Sequence, residues 1–472
     1  MLEKLFKLKE NNTTVKTEII AGLSTFMTMA YIVALNPNLL TNFGGHGANL
    51  WNAVFMATIL SSFAGTAMMA FLANKPFALA PGMGLNSYFA TIVATIAAVA
   101  GISYAEAFPA GLAIILVSGI LFTILTLLKI REKIVAAIPH AIRMGIPAGI
   151  GLMLVNIGLG SNAGVFTENG PFYMLGSFFT NGPSATKAAM GEMYPTMILY
   201  ILTLFVGLLV IAILTHKKVV GSILMGILSA SVFYWIGSFI IGTNPFAVLE
   251  GASFIPPFKD MVDLTLFKFD FVTLFKLGTF SAIMTIITFC MVDMFDTIGT
   301  LIGTAKKANM LKPNGEMENM NEAMLSDSLA TCVGACTGTS TVTTFIESAA
   351  GVAEGGRTGL TALTTAIMFL LCMFIAPIIR LIPSPATSAA LVYVGVLMIS
   401  SLKEVDYSDI AQSLSVVLML VFMMVTGGIG NGIGIGLISY TAIRICTGNA
   451  KKVSVLTMIL SLLFLGKFFI AF

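Results

Sequence analysis

Long apolar runs separated by short polar breaks recur along the whole chain. They lie near residues 17–40, 51–74, 84–102, 106–128, 143–160, 195–214, 219–242, 277–303, 322–337, 342–354, 358–381, 385–402, 411–427 and 429–447. A final run, 453–471, follows Lys451 and Lys452. A helix needs roughly 20 apolar residues to span a bilayer core, so the pattern predicts an all-α polytopic membrane protein with about fourteen crossings. The runs at 84–102, 322–337 and 342–354 are short or broken by Gly, Pro, Ser and Thr. The third run follows a non-helical stretch from Pro76 to Gly84, and the tenth follows Gly334 to Thr341. Fourteen crossings divide into seven plus seven, and because seven is odd the second half enters from the opposite face, as an inverted repeat. Short, interrupted segments at matching places in two halves point to a site near mid-membrane. Irregular backbone survives at that depth only where protein or water covers it. The expectation is therefore two discontinuous helices with short extended stretches at the midplane.

Composition agrees with lipid as the main solvent. Of the 472 residues, 57% are hydrophobic and 10% charged, against about 25% charged in a soluble domain. A net charge of +3 gives no reason to expect a nucleic-acid partner. With the N-terminus cytoplasmic, nineteen of the 25 Lys and Arg residues fall inside and five outside, the bias that sets membrane orientation. Both ends of the fourteen-span unit are then cytoplasmic, and two long loops, 161–194 and 243–275, lie outside without a recognisable motif. The basic N-terminus runs straight into a full-length apolar segment, so no cleavable leader is expected. The run 453–471 is expected to lie in the interface or to add a fifteenth element. Cys290, Cys332, Cys336, Cys372 and Cys446 read as free, small apolar residues, with no metal set and no cofactor implied.

Against this apolar background, embedded charge is the informative signal. Asp293 and Asp296 sit in a run from Leu277 to Ala305 that is otherwise uncharged. A carboxylate at bilayer depth costs at least about 2.5 kcal/mol, and two of them three residues apart share one helix face. Glu347 lies in the tenth run, shortly after the Gly338 break, and Asn86 opens the third, just after Gly82-Met83-Gly84. If the repeat brings the two half-helices nose to nose, these four polar side chains converge beside the eighth helix. Burial and like-charge neighbours both disfavour the charged form of a carboxylate, which suits a group that takes up and releases a proton. Carboxylate oxygens can also accept N–H bonds from a planar heterocycle, and Phe345 offers a face for stacking. Elsewhere, 129–143 reads as an amphipathic interfacial helix, and Glu354 and Arg357 are placed to pair or cap. His46, His140 and His216 sit near membrane edges, against a histidine relay. The Gly-rich stretch 427–436 follows an apolar helix rather than a strand, and reads as a tight turn with close helix packing.

Four stretches, Thr17 to Ile32, Ala80 to Phe89, Val292 to Thr300 and Phe345 to Gly359, resemble the AzgA-like purine permeases, a branch of the xanthine/uracil permease superfamily. The resemblance implies a core domain (1–142 and 276–382) moving against a gate domain (143–275 and 383–472, with the external loops and tail). It implies inward proton symport of adenine, guanine or hypoxanthine across the cell membrane. By matching position, Glu347, Asp293, Asn86 and Phe345 fall among the substrate residues, and Asp296, Asp293 and Glu347 among the proton-coupling ones. The ascorbate/xanthine branch carries a Gln-His pair in its first helix; Ser24 to Tyr31 has none, which favours the purine-base branch. The partners implied are a purine base, protons and the bilayer, with a homodimer as the assembly the scaffold admits.

Two other classes stay open at this point. One is an anion channel or exchanger on a similar scaffold, since half-helix N-termini attract anions; three embedded acids with no embedded Lys or Arg argue against it. The other is a membrane enzyme, although no Ser/His/Asp set, metal cluster or phosphate loop sits at membrane depth. Sodium coupling is also compatible with carboxylates and carbonyls.

Overall fold

In the computed structural model the chain leaves helical geometry at the Gly/Pro breaks before Gly84 and after Gly334, and short strands form there. The structure describes residues 2–42, 45–130, 134, 137–162, 184, 187, 188, 191–250, 252–308, 310, 311 and 317–469. Among these, eleven helical stretches are long and apolar enough to cross a membrane. The first crossing is kinked between α1 (Val15–Met29) and α2 (Ile32–Leu40). After α3 (Ala48–Met68) and a π-helical turn over Met69–Ala73, the chain leaves helical geometry and forms a three-residue strand, β1 (Leu79–Pro81), before α4 (Met83–Ala100). Then follow α5 (Tyr104–Leu127), α6 (His140–Ile157), α7 (Tyr194–His216) and α8 (Ser222–Ile240). The second half begins with α9 (Thr279–Lys307) and α10 (Met320–Thr337), then β2 (Val342–Thr344) and the short α11 (Ser348–Ala353). It closes with α12 (Gly359–Leu371), α13 (Ser384–Ile399), α14 (Ile410–Thr426), α15 (Ile429–Cys446) and α16 (Val455–Phe469). The ninth run, whose composition suggested a break, is one continuous helix, α10.

β1 and β2 pair antiparallel, with Leu79 opposite Thr344, Ala80 opposite Thr343 and Pro81 opposite Val342. The ladder continues at both ends, where Gly82 N–H donates to Thr341 C=O (3.0 Å) and Phe345 N–H donates to Ala78 C=O (3.0 Å). Two strands leave two unpaired edges, and an unsatisfied backbone group in hydrocarbon costs several kcal/mol. Each edge is closed by a threonine on the helix preceding its strand. Thr66 on α3 accepts from Leu79 N–H and donates to Leu79 C=O, both at 2.9 Å. Thr331 on α10 accepts from Val342 N–H at 3.3 Å and donates to Val342 C=O at 3.2 Å. A hydroxyl has one proton and spare lone pairs, so it can serve both groups of one residue. The same device thus stands at corresponding places in the two halves.

Around the strand pair, α1, α3, α4, α5, α10 and α12 pack on one another, while α6, α7, α8, α13, α14 and α15 form a second group. Small residues bring helices close: Gly22 of α1 leaves room for Thr361 and Thr364 of α12, and Gly207 of α7 meets Ala389 and Ala230. Phe205, Leu209, Ile236 and Ile240 stay exposed on α7 and α8, as lipid-facing side chains do. α16 packs on α15, with Phe464 fully buried against Gly434 and the Ser461 hydroxyl donating to Leu437 C=O at 3.0 Å. The tail is thus a helix docked on the bundle.

The Gly-rich stretch behaves as its composition indicates. Gly427 turns the chain with φ +60°, and Gly432 and Gly436 admit Met423 and Met419. Arg357 acts as a cap: its guanidinium donates to Val352 and Gly356 carbonyls at 2.8 and 2.7 Å. In the 243–275 stretch, Phe267 N–H and the Thr265 hydroxyl donate to the last carbonyls of α10, Cys336 and Thr337. Most of 161–194, and residues 131–133, 135 and 136 of the interfacial stretch, lie outside the described residues.

Candidate functional site

The strand pair gathers acidic side chains from α9, α10 and the start of α11. Glu347 stands at the N-terminal end of α11 and is half-buried. Its Oε1 accepts from the Tyr31 hydroxyl at 2.8 Å, where α1 breaks into α2. Tyr31 itself is buried, so the phenol is a fixed donor. Thr28, one turn earlier, lies 3.4 Å from the Glu347 carbonyl. Ile346 beside it is 50% exposed.

Asp296 on α9 is also half-buried and lies within electrostatic reach of Glu347 and of a third carboxylate, Asp327. Its Oδ2 is 4.0 Å from where a side chain on Gly82 would begin, which places it against the β1–α4 junction. Asp293, one turn before it, is fully buried. Its Oδ2 lies 2.8 Å from the hydroxyl of Thr331, whose one proton is shared between this carboxylate and Val342 C=O, while Oδ1 has no hydrogen-bond partner. Thus Asp293, Asp296 and Glu347 come together, as the sequence led one to expect.

Asn86 is placed differently within the same centre. It is fully buried, its Nδ2 donates to Asn36 Oδ1 at 2.6 Å and reaches Pro81 C=O at 3.4 Å, and its Oδ1 accepts from Ser340. Asn36 in turn donates to Thr58 (2.7 Å) and Thr339 (2.9 Å). This chain of amides and hydroxyls ties α2, α3 and α4 to the segment before β2, and it occupies the Asn86 amide fully in this conformation. The ring of Phe345 is buried in the main apolar core.

Sequence reasoning missed Asp327, Glu18 and Tyr31. Asp327 on α10 is fully buried and accepts three bonds: Thr344 N–H (2.7 Å), the Thr344 hydroxyl (2.7 Å) and the Thr297 hydroxyl (2.5 Å). It holds β2 from outside its ladder. The signal was available, because Asp327 is a lone acid in the run 322–337 beyond Glu322; flanking Ser326 and Ser328 hid it by lowering the run's apolarity. Glu18, fully buried on α1, accepts from Arg357, Thr358 and Thr361 N–H groups and from the hydroxyls of Thr358 and Thr361. It caps the N-terminus of α12, where a negative charge meets unpaired N–H groups and the helix dipole. Nothing in the sequence marks Tyr31.

The two faces of this centre differ. Toward α6 and α15 the packing is tight: a side chain on Gly84 would begin 2.1 Å from Ile150 Cγ2, and one on Gly430 would begin 2.9 Å from the Tyr88 hydroxyl. Tyr88 also stacks on Phe289 of α9, centroids 4.6 Å apart. Toward the end of α9, a side chain at Gly299 or Gly303 would meet no atom of the described residues within 4 Å. Among the described residues the centre is thus packed closely toward α6 and α15 and less so toward the end of α9.

Comparison with known proteins fits this geometry. Residues 16–435 match a family described as the permease family. Over 472 residues the chain is 37% identical to the guanine/hypoxanthine permease PbuO of Bacillus subtilis, covering 99% of this chain and 100% of that protein. The chain belongs to the permease family. This permease is also 36% identical over 467 residues to the adenine permease AdeP of Escherichia coli K12, covering 99% and 96% of the two chains. The transmembrane domain of a cyanobacterium bicarbonate transporter, BicA, superposes with a TM-score of 0.61 at 15% identity, over 89% of this permease and 97% of that chain. At that identity the likeness concerns the fold, a mostly helical polytopic membrane protein.

Proposed function

We propose that this permease imports purine nucleobases (hypoxanthine, guanine or adenine) by proton symport. The observation that carries the reading is the set of carboxylates around one strand pair: Glu347 and Asp296 half-buried, Asp293 and Asp327 fully buried. A purine offers ring and exocyclic N–H groups in one plane, and carboxylate oxygens accept them. Glu347, oriented by Tyr31, and Asp296, its half-buried neighbour, hold the base. Asp293 is the proton-linked group. Its unpartnered Oδ1 lies in a solvent-free setting, where an uncompensated charge is costly and protonation relieves it. The family resemblance put Asp293 among both the substrate and the proton-coupling residues and Asp296 among the proton-coupling ones; burial favours Asp293 for the proton and Asp296 for the base. Asn86 closes the site from behind by fixing β1 against the segment before β2.

The two packing groups act as core and gate, related by a seven-plus-seven inverted repeat, and the matched threonine devices at β1 and β2 support that repeat. Alternating access follows if the core moves as a body against the gate. The Lys/Arg bias puts the N-terminus in the cytoplasm and makes the less closely packed end of α9 the inward face. The permease sits in the cell membrane, where a homodimer through the gate helices is compatible with the exposed apolar faces of α7 and α8.

Uptake of labelled hypoxanthine, guanine and adenine by cells lacking their own purine permeases tests this. Accumulation is expected for at least one base, abolished by a protonophore and by Glu347→Gln. Accumulation that ignores the protonophore overturns proton coupling, and normal uptake by the variant overturns the site.

A further inference from the structure

On the α6 side of the centre lies a cavity of about 240 Å³ lined by Asn42, His46, Ser87, Thr91, Tyr104 and Ile157, among others. That is below the roughly 300–1,000 Å³ of typical drug-sized sites, so it suits a small ligand. It lies between α4 and the end of α6, and thus between core and gate. Its inner wall begins at Ser87, the residue after Asn86. Its outer rim is Asn42 and His46, in the loop that follows the first crossing and faces outside.

The lining has the chemistry of a planar, neutral heterocycle. The His46 imidazole stacks on the Tyr104 ring with centroids 3.9 Å apart and planes within 8°. Tyr104 is a fixed platform, because its hydroxyl donates to Leu40 C=O at 2.8 Å. Partial burial holds the His46 pKa below its ordinary value, so the ring is neutral near pH 7 and carries one donor and one acceptor. Asn42 adds an amide, and Ser87 and Thr91 add hydroxyl oxygens. Tyr88, the residue after Ser87 along α4, turns its hydroxyl to Gly430 and its ring to Phe289 of α9.

We propose that this cavity is a second, outer subsite, where a purine base stacks on the His46–Tyr104 pair before the core moves and admits it to the midplane. The proposal rests on the functional reading above and names a separate place for the same class of ligand.

The test places a cysteine at Thr91 and measures its labelling by an impermeant maleimide from outside, with the unmodified chain as baseline. Ala94→Cys serves as a second reporter should Thr91→Cys fail to reach the membrane. External hypoxanthine or guanine is expected to slow labelling equally in the parent and in Glu347→Gln, where the midplane site is disabled. His46→Ala is expected to weaken that protection about 2- to 10-fold, the scale of one aromatic stacking contact, and to raise the KM of uptake but not of efflux. Protection lost in Glu347→Gln, or unaltered in His46→Ala, overturns the outer subsite. If the parent takes up purines without any protection, the subsite fails and the transport reading stands; if it takes up none, the transport reading itself fails.

Discussion

The hydroxyl of Tyr31 donates to Oε1 of Glu347 at 2.8 Å, joining the kink of the first crossing to the start of the helix after β2. These residues are 316 positions apart in sequence, so the bond fixes one half of the chain against the other at the site itself. A hydrogen bond to a charged group contributes about 1.5–3 kcal/mol, or roughly 10- to 100-fold in an equilibrium. Tyr31→Phe is therefore expected to lower kcat/KM for purine uptake within that range while surface expression holds, and Glu347→Gln to abolish uptake. Concentration-dependent uptake of one labelled base separates the two. A Tyr31→Phe permease with wild-type kinetics would show that the bond does not orient the acid.

Asp327 is fully buried and holds β2. Removing it leaves the Thr344 N–H and hydroxyl buried without an acceptor, at about 1–3 kcal/mol for each unsatisfied group. Asp327→Ala is expected to lose several degrees of melting temperature in detergent, whereas Asp327→Asn keeps an acceptor and loses less. Uptake should follow the same order. Equal melting temperatures for the two variants would remove the strand-holding role.

Much of this architecture was legible in the chain. The apolar runs located the helices, eleven stretches of which are long and apolar enough to span among the described residues, and the Gly/Pro breaks before Gly84 and after Gly334 located the two strands, because a helix stopped inside lipid needs special residues. Asp293, Asp296 and Glu347 were legible because charge is conspicuous against an apolar background. What stayed hidden depends on partners far away in sequence. Thr66 and Thr331 are ordinary membrane-helix residues until a strand edge arrives beside them. Tyr31 is one more aromatic until Glu347 meets it. Asn86 looked like a binding residue from its position after a break, and only the placement of Asn36 and Ser340 shows its amide to be engaged.

That engagement makes Asn86 a discriminating position. Asn86→Ala strands Asn36 Oδ1 and the Ser340 hydroxyl, and Asn86→Asp sets an acceptor against an acceptor. Both variants are expected to melt earlier and to accumulate less in the membrane, with an unchanged KM in whatever protein is correctly placed. Uptake normalised to surface protein, beside thermal stability, decides the matter. A stable Asn86→Ala permease with a raised KM would return Asn86 to direct contact with the base.

Gly84 and Ile150 bear on the transport cycle. A methyl added at Gly84 would begin 2.1 Å from Ile150 Cγ2 and 3.3 Å from its Cβ, so α4 and α6 must separate there or Ile150 must turn. Overpacking of this kind costs about 1–3 kcal/mol, and it is charged only to the conformation in which α4 lies against α6. Gly84→Ala should therefore shift the population away from the arrangement seen here, by roughly 5- to 150-fold. A cysteine at Thr91 should then label faster from outside, with slower net uptake because the return step is impeded. Ile150→Ala removes the obstructing branch, so the double variant is expected to recover both properties, giving a large coupling energy in the double-mutant cycle. Independent, additive effects of the two substitutions would mean that this contact is not part of the outer closure.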